Sequence, residues 1–241
     1  MRVPDNTVVY VIGDIHGCPW LLEEILEWVG IHAADHAQAR KLIVLLGDVI
    51  DRGPDSRGVI DLLLEGPPEG FELICLRGNH EGMMLQAMDS GTGSMVWMDN
   101  GGRLTLESYG VDSDPFFNLP SPEFVKTSLL AAVPPSHQHF LENTLLCHRE
   151  GDYLFVHAGV RPGVDIEHQT PEDMMWIRRE FTESTEELGV MVVHGHTVTA
   201  EPSERRNAIG LDTGAVMTGR LSCLALWDDQ RCIYVTPGFW T

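Results

Sequence analysis

The sequence TVVYVIGDIHG, residues 7–17, joins a β-branched apolar run to a short cluster of chemically active side chains. Its first part, Thr7–Ile12, has the composition and the length of a buried strand. Gly13 ends the run, and Asp14 and His16 follow directly. A strand that ends in a carboxylate and an imidazole is a unit that recurs along this chain.

Two further apolar runs end in the same way. GDVIDRG, residues 47–53, follows the run Lys41–Leu46, and RGNHE, residues 77–81, follows the run Phe71–Leu76. Segments with helical periodicity come after the three clusters, at Pro19–Val29, Asp55–Leu64 and Glu81–Met88. This alternation predicts a parallel sheet with right-handed crossovers, and it places all three clusters at the carboxyl ends of neighbouring strands.

Two histidines complete the pattern in the second half of the chain. HAG follows the predicted strand Tyr153–Val156, and GHT follows the predicted strand Met191–Val193. One such triplet arises easily by chance, but five clusters behind five predicted strands favour a common site. The candidate metal ligands are Asp14, His16, Asp48, Asn79, His157 and His196. These carboxylates, imidazoles and one amide suit Mn, Fe or Zn, and Asp48, on the middle strand, is the predicted bridge between two metals.

The remainder of the chain predicts helices and a second sheet. The segment Gly102–Asn143 reads mostly as helices, and Thr170–Phe181 reads as one helix with Pro171 in its first turn. DSDPFFNLPSPE, residues 112–123, is the most loop-like segment. Short apolar runs near the end, at Ala208–Leu211, Leu221–Leu226 and Cys232–Thr236, indicate further strands. Without a repeat or a linker, residues 1–241 are expected to form a single domain.

Charge and composition exclude several classes of protein. The formal net charge is −20, with 16 Lys and Arg against 36 Asp and Glu, which disfavours binding of nucleic acid or of anionic membranes. Five cysteines without a CxxC pair indicate neither a disulfide framework nor a thiolate zinc site. The N-terminus does not read as a signal peptide, and no apolar run is long enough to span a membrane. We therefore expect a cytoplasmic protein.

In this order, GDIHG, GDVIDRG, RGNHE, HAG and HGHT resemble the motifs of the phosphoprotein phosphatase family of metallophosphoesterases. The resemblance runs from Val8 to Leu226 and is strongest to the bacterial and phage branch of serine/threonine phosphatases. It implies a calcineurin-like α/β fold, with two central mixed β-sheets in a sandwich flanked by α-helices. It also implies a hydrolase with a dinuclear metal centre, of Mn²⁺ by preference and of Fe or Zn as alternatives.

The resemblance also implies a role for each matching residue. Asp14, His16 and Asp48 would hold the first metal, and Asp48, Asn79, His157 and His196 would hold the second. A hydroxide that bridges the metals would attack phosphorus in line. His80 would protonate the leaving group with the help of Asp51. The predicted phosphate ligands are Arg52, Arg178, Arg77 and Asn79.

Several alternatives remain open on the sequence. The implied substrate is a phosphorylated protein or peptide, at serine or threonine and also at tyrosine. A related branch hydrolyses dinucleoside polyphosphates and tends to have Ala where this chain has Asp51. A non-catalytic, metal-stabilised binding module is a third hypothesis, although no ligand of the pattern is missing. Non-catalytic interpretations are that Glu81 caps backbone or pairs with an arginine rather than binding metal, and that His137 is solvated. Asp212 is equally balanced between supporting a metal-binding histidine and not.

Overall fold

The computed structural model describes residues 1–112 and 121–239. Within them the strands are β1 (Thr7–Ile12), β2 (Arg40–Leu45), β3 (Phe71–Cys75), β4 (Cys147–Glu150), β5 (Tyr153–Val156), β6 (Met191–His194), β7 (Ser203–Glu204), β8 (Ala208–Gly210), β9 (Ser222–Trp227) and β10 (Gln230–Val235). They form two five-stranded sheets, with the orders β10-β9-β1-β2-β3 and β4-β5-β6-β8-β7.

The α-helices follow the strands and fill the middle of the chain. They are α1 (Pro19–Ala33), α2 (Ser56–Leu64), α3 (Asn79–Ser90), α4 (Ser94–Trp97), α5 (Arg103–Ser108), α6 (Pro122–Ala132), α7 (Pro135–Glu142), α8 (Pro171–Trp176), α9 (Arg179–Thr182) and α10 (Ala215–Thr218). Short 3₁₀ turns lie at Ala34–His36 and Ile166–His168, and a π turn lies at Met98–Gly102. None of the described helices is long and apolar enough to cross a membrane.

In the first sheet, β1, β2 and β3 are parallel neighbours, as the strand–helix alternation predicts. Ile12 pairs with Leu45, and Leu45 pairs with Cys75, so that the three strands end at the same level. The loops behind them therefore meet at one edge, with the Asp48 loop in the middle. Strands β9 and β10 join the sheet in antiparallel orientation, which makes it mixed.

The second sheet repeats this arrangement on a smaller scale. Strands β5, β6 and β8 are parallel, and β4 and β7 pair antiparallel at the two edges. One buried cluster contains Val9 and Val11 of β1 together with Phe155 of β5 and Val193 of β6, so the two sheets pack face to face. Val8, Tyr10 and Ile12 alternate to the opposite face of β1 and pack with residues of the first helices. The expected sandwich of mixed sheets flanked by helices is confirmed.

One predicted helix is interrupted next to the site. The single helix predicted at Thr170–Phe181 is wrong, because the structure has α8, a break at Ile177 and Arg178, and then α9. Arg178 has the non-helical angles φ −128° and ψ −102°. The buried side chain of Ile177 packs in the core while Nη1 of Arg178 donates to the carbonyl of His196 at 3.3 Å. An uninterrupted helix would not satisfy both contacts.

Other differences lie at edges and ends. The sequence did not predict β4, whose residues CHRE are mostly polar, or β7, which has two residues. Edge strands need not carry an apolar pattern, so periodicity does not find them. Most of the loop predicted at residues 112–123 falls on residues 113–120, which lie outside the described residues, and α6 begins within its last part, at Pro122.

Candidate metal centre

The loops behind the parallel strands of both sheets bring six predicted ligands into one buried cluster. Oδ2 of Asp48 lies 3.7 Å from Nε2 of His16 and 3.4 Å from Nε2 of His157. Nε2 of His157 is 3.0 Å from Oδ1 of Asn79 and 3.2 Å from Nδ1 of His196. The backbone N–H of His196 donates to Oδ2 of Asp14 at 2.9 Å. All six residues are at most 6% exposed.

Asp48 lies at the centre of this cluster. Its Oδ1 accepts a hydrogen bond from the backbone N–H of His80 at 3.0 Å, which leaves Oδ2 facing the imidazoles. Among the described residues, two groups have ligand atoms close enough to hold a metal ion, and they share Asp48: one adds His16 and His80, and the other adds His157 and His196. Asp48 thus occupies the position expected of a bridging carboxylate.

Backbone carbonyls fix which imidazole nitrogen is available to a ligand. Nδ1 of His16 is 2.8 Å from the carbonyl of Ile50, and Nδ1 of His157 is 2.9 Å from the carbonyl of Leu46. A carbonyl only accepts, so each Nδ1 carries the proton and each Nε2 presents a lone pair to the cluster. Burial lowers the pKa of His16 and of His196 to about 3, so these rings are neutral near pH 7.

The surroundings of the Asp14 carboxylate favour a bound cation. Its Oδ1 is buried and has no hydrogen-bond partner among the described residues. Burial and the negative charges of Asp212 and Asp48 raise the pKa of Asp14 well above its ordinary value. A Cβ at Gly195 would lie 1.9 Å from this oxygen, so the carboxylate needs glycine there. An unpaired buried carboxylate oxygen beside neutral imidazoles fits a divalent cation.

Backbone strain is concentrated in the same loops. The non-glycine residues with positive φ in the described chain include His16, Asp48, Asp51, Arg52 and His196, with φ between 47° and 69°. Such conformations cost roughly 1–3 kcal/mol each and persist where the surroundings enforce them. The other two described non-glycine residues with positive φ, Asn6 and Asp228, lie outside these loops. Strain collected at the ends of strands is typical of functional sites.

Glu81 fixes two of these loops to each other. Its Oε2 accepts from the backbone N–H groups of Asp48 and Gly78, both at 2.8 Å, and its Oε1 accepts from Val49 at 2.9 Å and Ile50 at 3.4 Å. The carboxylate is fully buried. The expectation that Glu81 caps backbone rather than binding metal agrees with these contacts. Glu81 thereby holds the strained loop that carries Asp48.

His80 and Asp51 form a buried pair beside the cluster. Nδ1 of His80 lies 2.7 Å from Oδ2 of Asp51, and Nε2 of His80 has no hydrogen-bond partner among the described residues but faces Oδ2 of Asp48 at 3.9 Å. Burial alone would lower the pKa of His80, but the negative charges of Asp48 and Asp51 outweigh it and raise that pKa. The imidazole therefore favours its protonated form, with one N–H directed into the site.

Two further side chains hold Asp51, and sequence reasoning gave neither of them a role. Nε1–H of Trp97 donates to Oδ2 at 2.8 Å, and the hydroxyl of Thr105 donates to Oδ1 at 2.5 Å. Trp97 is fully buried in α4, and Thr105 is fully buried in α5. Both come from the helical segment after α3, far along the chain from Asp51. Their spacing along the chain does not reveal a contact with Asp51, which the folded arrangement shows.

The predicted phosphate ligands fall into two groups. Arg52 and Arg178 border the cluster, since Nη1 of Arg52 lies 2.8 Å from Nε2 of His16 and Arg178 donates to the carbonyl of His196. Both residues are exposed, so their guanidinium groups are accessible to a ligand. Arg77 is engaged elsewhere: its guanidinium donates to Thr144 and to the carbonyl of Glu142. The structure does not bring Arg77 to the cluster.

Asp212 and His137 are also placed by the fold. The carboxylate of Asp212 accepts from the backbone N–H of Gly214 at 2.9 Å, with no hydrogen bond to a predicted metal ligand among the described residues. Burial raises the pKa of Asp212 to about 6. The expectation that His137 is solvated is wrong, because it is 3% exposed and lies between the hydroxyl of Tyr109 and the carboxylate of Asp61. Its position on the inner face of α7 buries it.

Residues 7–214 match the family model described as calcineurin-like phosphoesterase. The chain is 30% identical over 219 residues to serine/threonine-protein phosphatase 1 of Salmonella typhimurium, covering 89% of each chain. It is 28% identical over 225 residues to the asymmetrical bis(5'-nucleosyl)-tetraphosphatase PrpE of Bacillus thuringiensis, covering 89% of this chain and 88% of that protein. A crystal structure provisionally assigned as a diadenosine tetraphosphatase has the same fold, with a TM-score of 0.64, 23% identity and coverage of 98% and 96%.

Proposed function

The chain belongs to the calcineurin-like phosphoesterase family, and we propose that it is a dinuclear-metal phosphomonoesterase that removes phosphate from serine and threonine residues of proteins. The observation that carries this proposal is the buried pair of His80 and Asp51, in which Nε2 of His80 makes no hydrogen bond among the described residues and faces Asp48 of the candidate metal cluster at 3.9 Å. A serine or threonine alkoxide is a poor leaving group and needs a proton as the ester bond breaks.

Asp14, His16, Asp48, Asn79, His157 and His196 would hold the two metal ions, and the donor set favours Mn²⁺, with Fe or Zn as alternatives. Bound there, the metals would supply an activated water and offset negative charge on the phosphoryl oxygens. The role of Asp48 as the shared ligand is supported by its position between His16 and His157. The protein contributes neutral imidazoles of fixed tautomer, which need no deprotonation before they bind metal.

The two exposed arginines would orient the phosphate group. Arg52 lies next to His16, and Arg178 lies next to His196, so the two arginines border different members of the ligand set. A guanidinium fork matches two phosphoryl oxygens in one plane and keeps its charge at every working pH. Held between them, a phosphomonoester would present its scissile bond to the cluster.

His80 would then deliver the proton to the leaving oxygen. The hydrogen bond of Asp51 to Nδ1 directs Nε2–H toward the cluster, and the negative charges nearby favour the protonated ring. Trp97 and Thr105 keep Asp51 in place without access to water. The pair therefore makes His80 a better-protonated imidazole than burial alone would allow, as a general acid requires.

Phosphate release from matched substrates tests the proposal. The Mn²⁺-loaded protein is given one peptide sequence phosphorylated at serine, threonine or tyrosine, and in parallel diadenosine tetraphosphate. The proposal requires turnover of the phosphoserine and phosphothreonine peptides that the His80→Asn variant abolishes. Preference for the dinucleotide by several orders of magnitude would overturn it.

Hydrolysis of dinucleoside polyphosphates is the second candidate, and the name of the Bacillus thuringiensis relative favours it. A polyphosphate leaving group is a weaker base than an alkoxide, so its departure depends less on a general acid. If this candidate is right, His80→Asn lowers dinucleotide turnover only modestly. A metal-loaded protein that releases phosphate from none of these substrates would instead support a binding module.

A further inference from the structure

The candidate metal ligand His196 lies at the centre of a three-residue turn. The backbone N–H of Thr197 donates to the carbonyl of Gly195 at 2.6 Å, and His196 between them has a φ of 61°. Turns that close in this way over a residue with positive φ are rare and strained. The direction of the His196 imidazole therefore depends on the contacts that keep this turn closed.

A buried histidine, His194, holds the carbonyl of that turn. Its Nδ1 is 3.0 Å from the carbonyl oxygen of Gly195, and because a carbonyl only accepts, Nδ1 carries the proton. Nε2 then has a lone pair, and it accepts a hydrogen bond from Nη2 of Arg205 at 3.1 Å. His194 is 2% exposed, so water does not compete for these bonds. A chain of hydrogen bonds thus runs from Arg205 through His194 to the turn of His196.

The packing around the His194 ring fixes its orientation. The Phe181 ring lies edge-on against it, with 5.2 Å between the centroids. Gly210 pairs with His194 across strands β6 and β8, and a Cβ there would lie 3.2 Å from Nε2 of His194. Phe181 also lies against Gly159 of the HAG motif, where a Cβ would come within 2.3 Å of the ring. The same packing therefore reaches both loops that carry histidines of the second candidate metal group.

Arg205 forms the outer end of this chain of hydrogen bonds. Its Nη1 donates to the carbonyl of Thr182 at the end of α9, and its Cζ lies 5.3 Å from the centroid of the Phe181 ring. Helix α9 begins directly after Arg178, whose Nη1 donates to the carbonyl of His196. The segment that follows Arg178 and the turn that holds His196 are therefore tied to one guanidinium.

We propose that His194 and Arg205 are positioning residues, which keep the turn of His196 closed and so set the geometry of its imidazole for metal binding. The inference rests on the metal centre of the proposed function and adds the residues that orient one of its ligands. Neither side chain belongs to the two candidate metal groups. Loss of a partner that orients a metal ligand typically lowers metal affinity by roughly 10–100-fold.

Titration of the full chain with Mn²⁺ after metal removal tests the inference without any substrate. His194→Phe keeps a ring and removes both hydrogen bonds, whereas His194→Asn keeps an N–H donor at the position of Nδ1. Arg205→Met keeps the stem of the side chain and removes the guanidinium. Arg206→Met is the matched control, since Arg206 is exposed and pairs with Glu187. His196→Ala identifies which of the two Mn²⁺ binding steps depends on His196.

We expect His194→Phe to weaken the step that depends on His196 by roughly 10–100-fold, and Arg205→Met to weaken the same step, while the other step changes little. His194→Asn should recover most of the lost affinity, and Arg206→Met should match the wild type. Urea midpoints of the metal-free proteins show whether each variant folds. Arg205→Met decides the test if His194→Phe does not fold.

Equal weakening of both Mn²⁺ binding steps would overturn the inference, because a general loosening of the fold does not single out His196. Unchanged affinity in His194→Phe and Arg205→Met would also overturn it, as would His194→Asn binding no better than His194→Phe. The proposed function is judged separately, by phosphate release from the phosphopeptides. If the wild type binds two Mn²⁺ ions and hydrolyses no phosphopeptide, the proposed function fails, and the titration still decides the inference.

Discussion

Oδ2 of Asp51 lies 2.7 Å from Nδ1 of His80, and both side chains are fully buried. Asp51 is in turn held by Trp97 and Thr105, whereas Nε2 of His80 makes no hydrogen bond among the described residues and lies 3.9 Å from Oδ2 of Asp48. A buried donor without an acceptor is costly, and here the donor is directed at the candidate metal cluster. In the proposed function, this pair is what distinguishes a catalytic site from a site that only binds metal.

The His80→Asn substitution should lower kcat on a phosphothreonine peptide by roughly 10²–10⁴-fold, because general acid catalysis contributes about that much. Metal content should stay at the wild-type value. The measurements are steady-state kinetics and metal analysis of the same preparation. His80 also lies within ligand distance of His16 and Asp48. Loss of metal from this variant would therefore show that His80 is a ligand and not the acid.

The Asp48→Asn substitution should remove metal and activity together. Both candidate metal groups share Asp48, so one lost charge weakens both at once. Asn keeps the shape, and its amide oxygen can still accept from the N–H of His80. Metal stoichiometry after dialysis and phosphate release measure the two effects. Asp212→Asn is the matched control, since Asp212 is buried nearby but in neither group, and it should retain metal. Full activity of Asp48→Asn would refute the bridging role.

The Glu81→Gln substitution should destabilise the fold and weaken metal binding. Whichever carboxylate oxygen is replaced by the amide NH2 group, which can only donate, two buried backbone N–H groups lose their acceptor, at about 1–3 kcal/mol each. The loop that carries Asp48 then loses its anchor. Urea denaturation and Mn²⁺ titration measure the two effects, with the exposed Glu69→Gln as control. A variant with wild-type stability and metal affinity would mean that the strained Asp48 loop keeps its conformation without the hydrogen bonds to Glu81.

His137 predicts a pH dependence of stability away from the metal centre. Burial lowers its pKa in the folded protein below the ordinary value of 6.5, despite the neighbouring Asp61. The unfolded chain then binds a proton more readily than the folded one, so the contribution of His137 to stability is present above pH 6.5 and is lost as the pH falls. His137→Gln should flatten this loss.

The measurement for His137 is the urea midpoint at pH 7.5 and at pH 5, for wild type and variant with chelated metal. His139→Gln on the same helix is the control, because His139 is exposed. The difference between the two midpoints should be smaller in His137→Gln than in wild type or in the control. Equal differences in all three proteins would show that His137 does not link protonation to folding.

The sequence by itself determined the first sheet and the positions of the candidate metal ligands at its edge. Apolar runs that end in polar clusters predicted β1, β2 and β3 nearly to the residue. The interior strands β1 and β2 are largely buried and read as continuous apolar segments, and the edge strand β3 keeps enough apolar residues to show the same pattern while only partly buried. Their carboxyl ends must meet at one edge, so the meeting of Asp14, Asp48 and Asn79 followed from pattern alone. The ordered motifs also indicated the family.

Only the tertiary structure decided which side chains support that site. Trp97 and Thr105 reach Asp51 from helices α4 and α5, and nothing in local periodicity encodes a contact across so many residues. The break at Arg178 and the burial of His137 depend on what packs beside them. Arg77 belongs to the motif RGNHE, yet its guanidinium donates to Thr144 and does not reach the candidate metal cluster. The local pattern of apolar and polar residues reflects the periodicity of strands and helices. The partners of these side chains come from distant parts of the sequence, so only the packing of the folded chain brings them together.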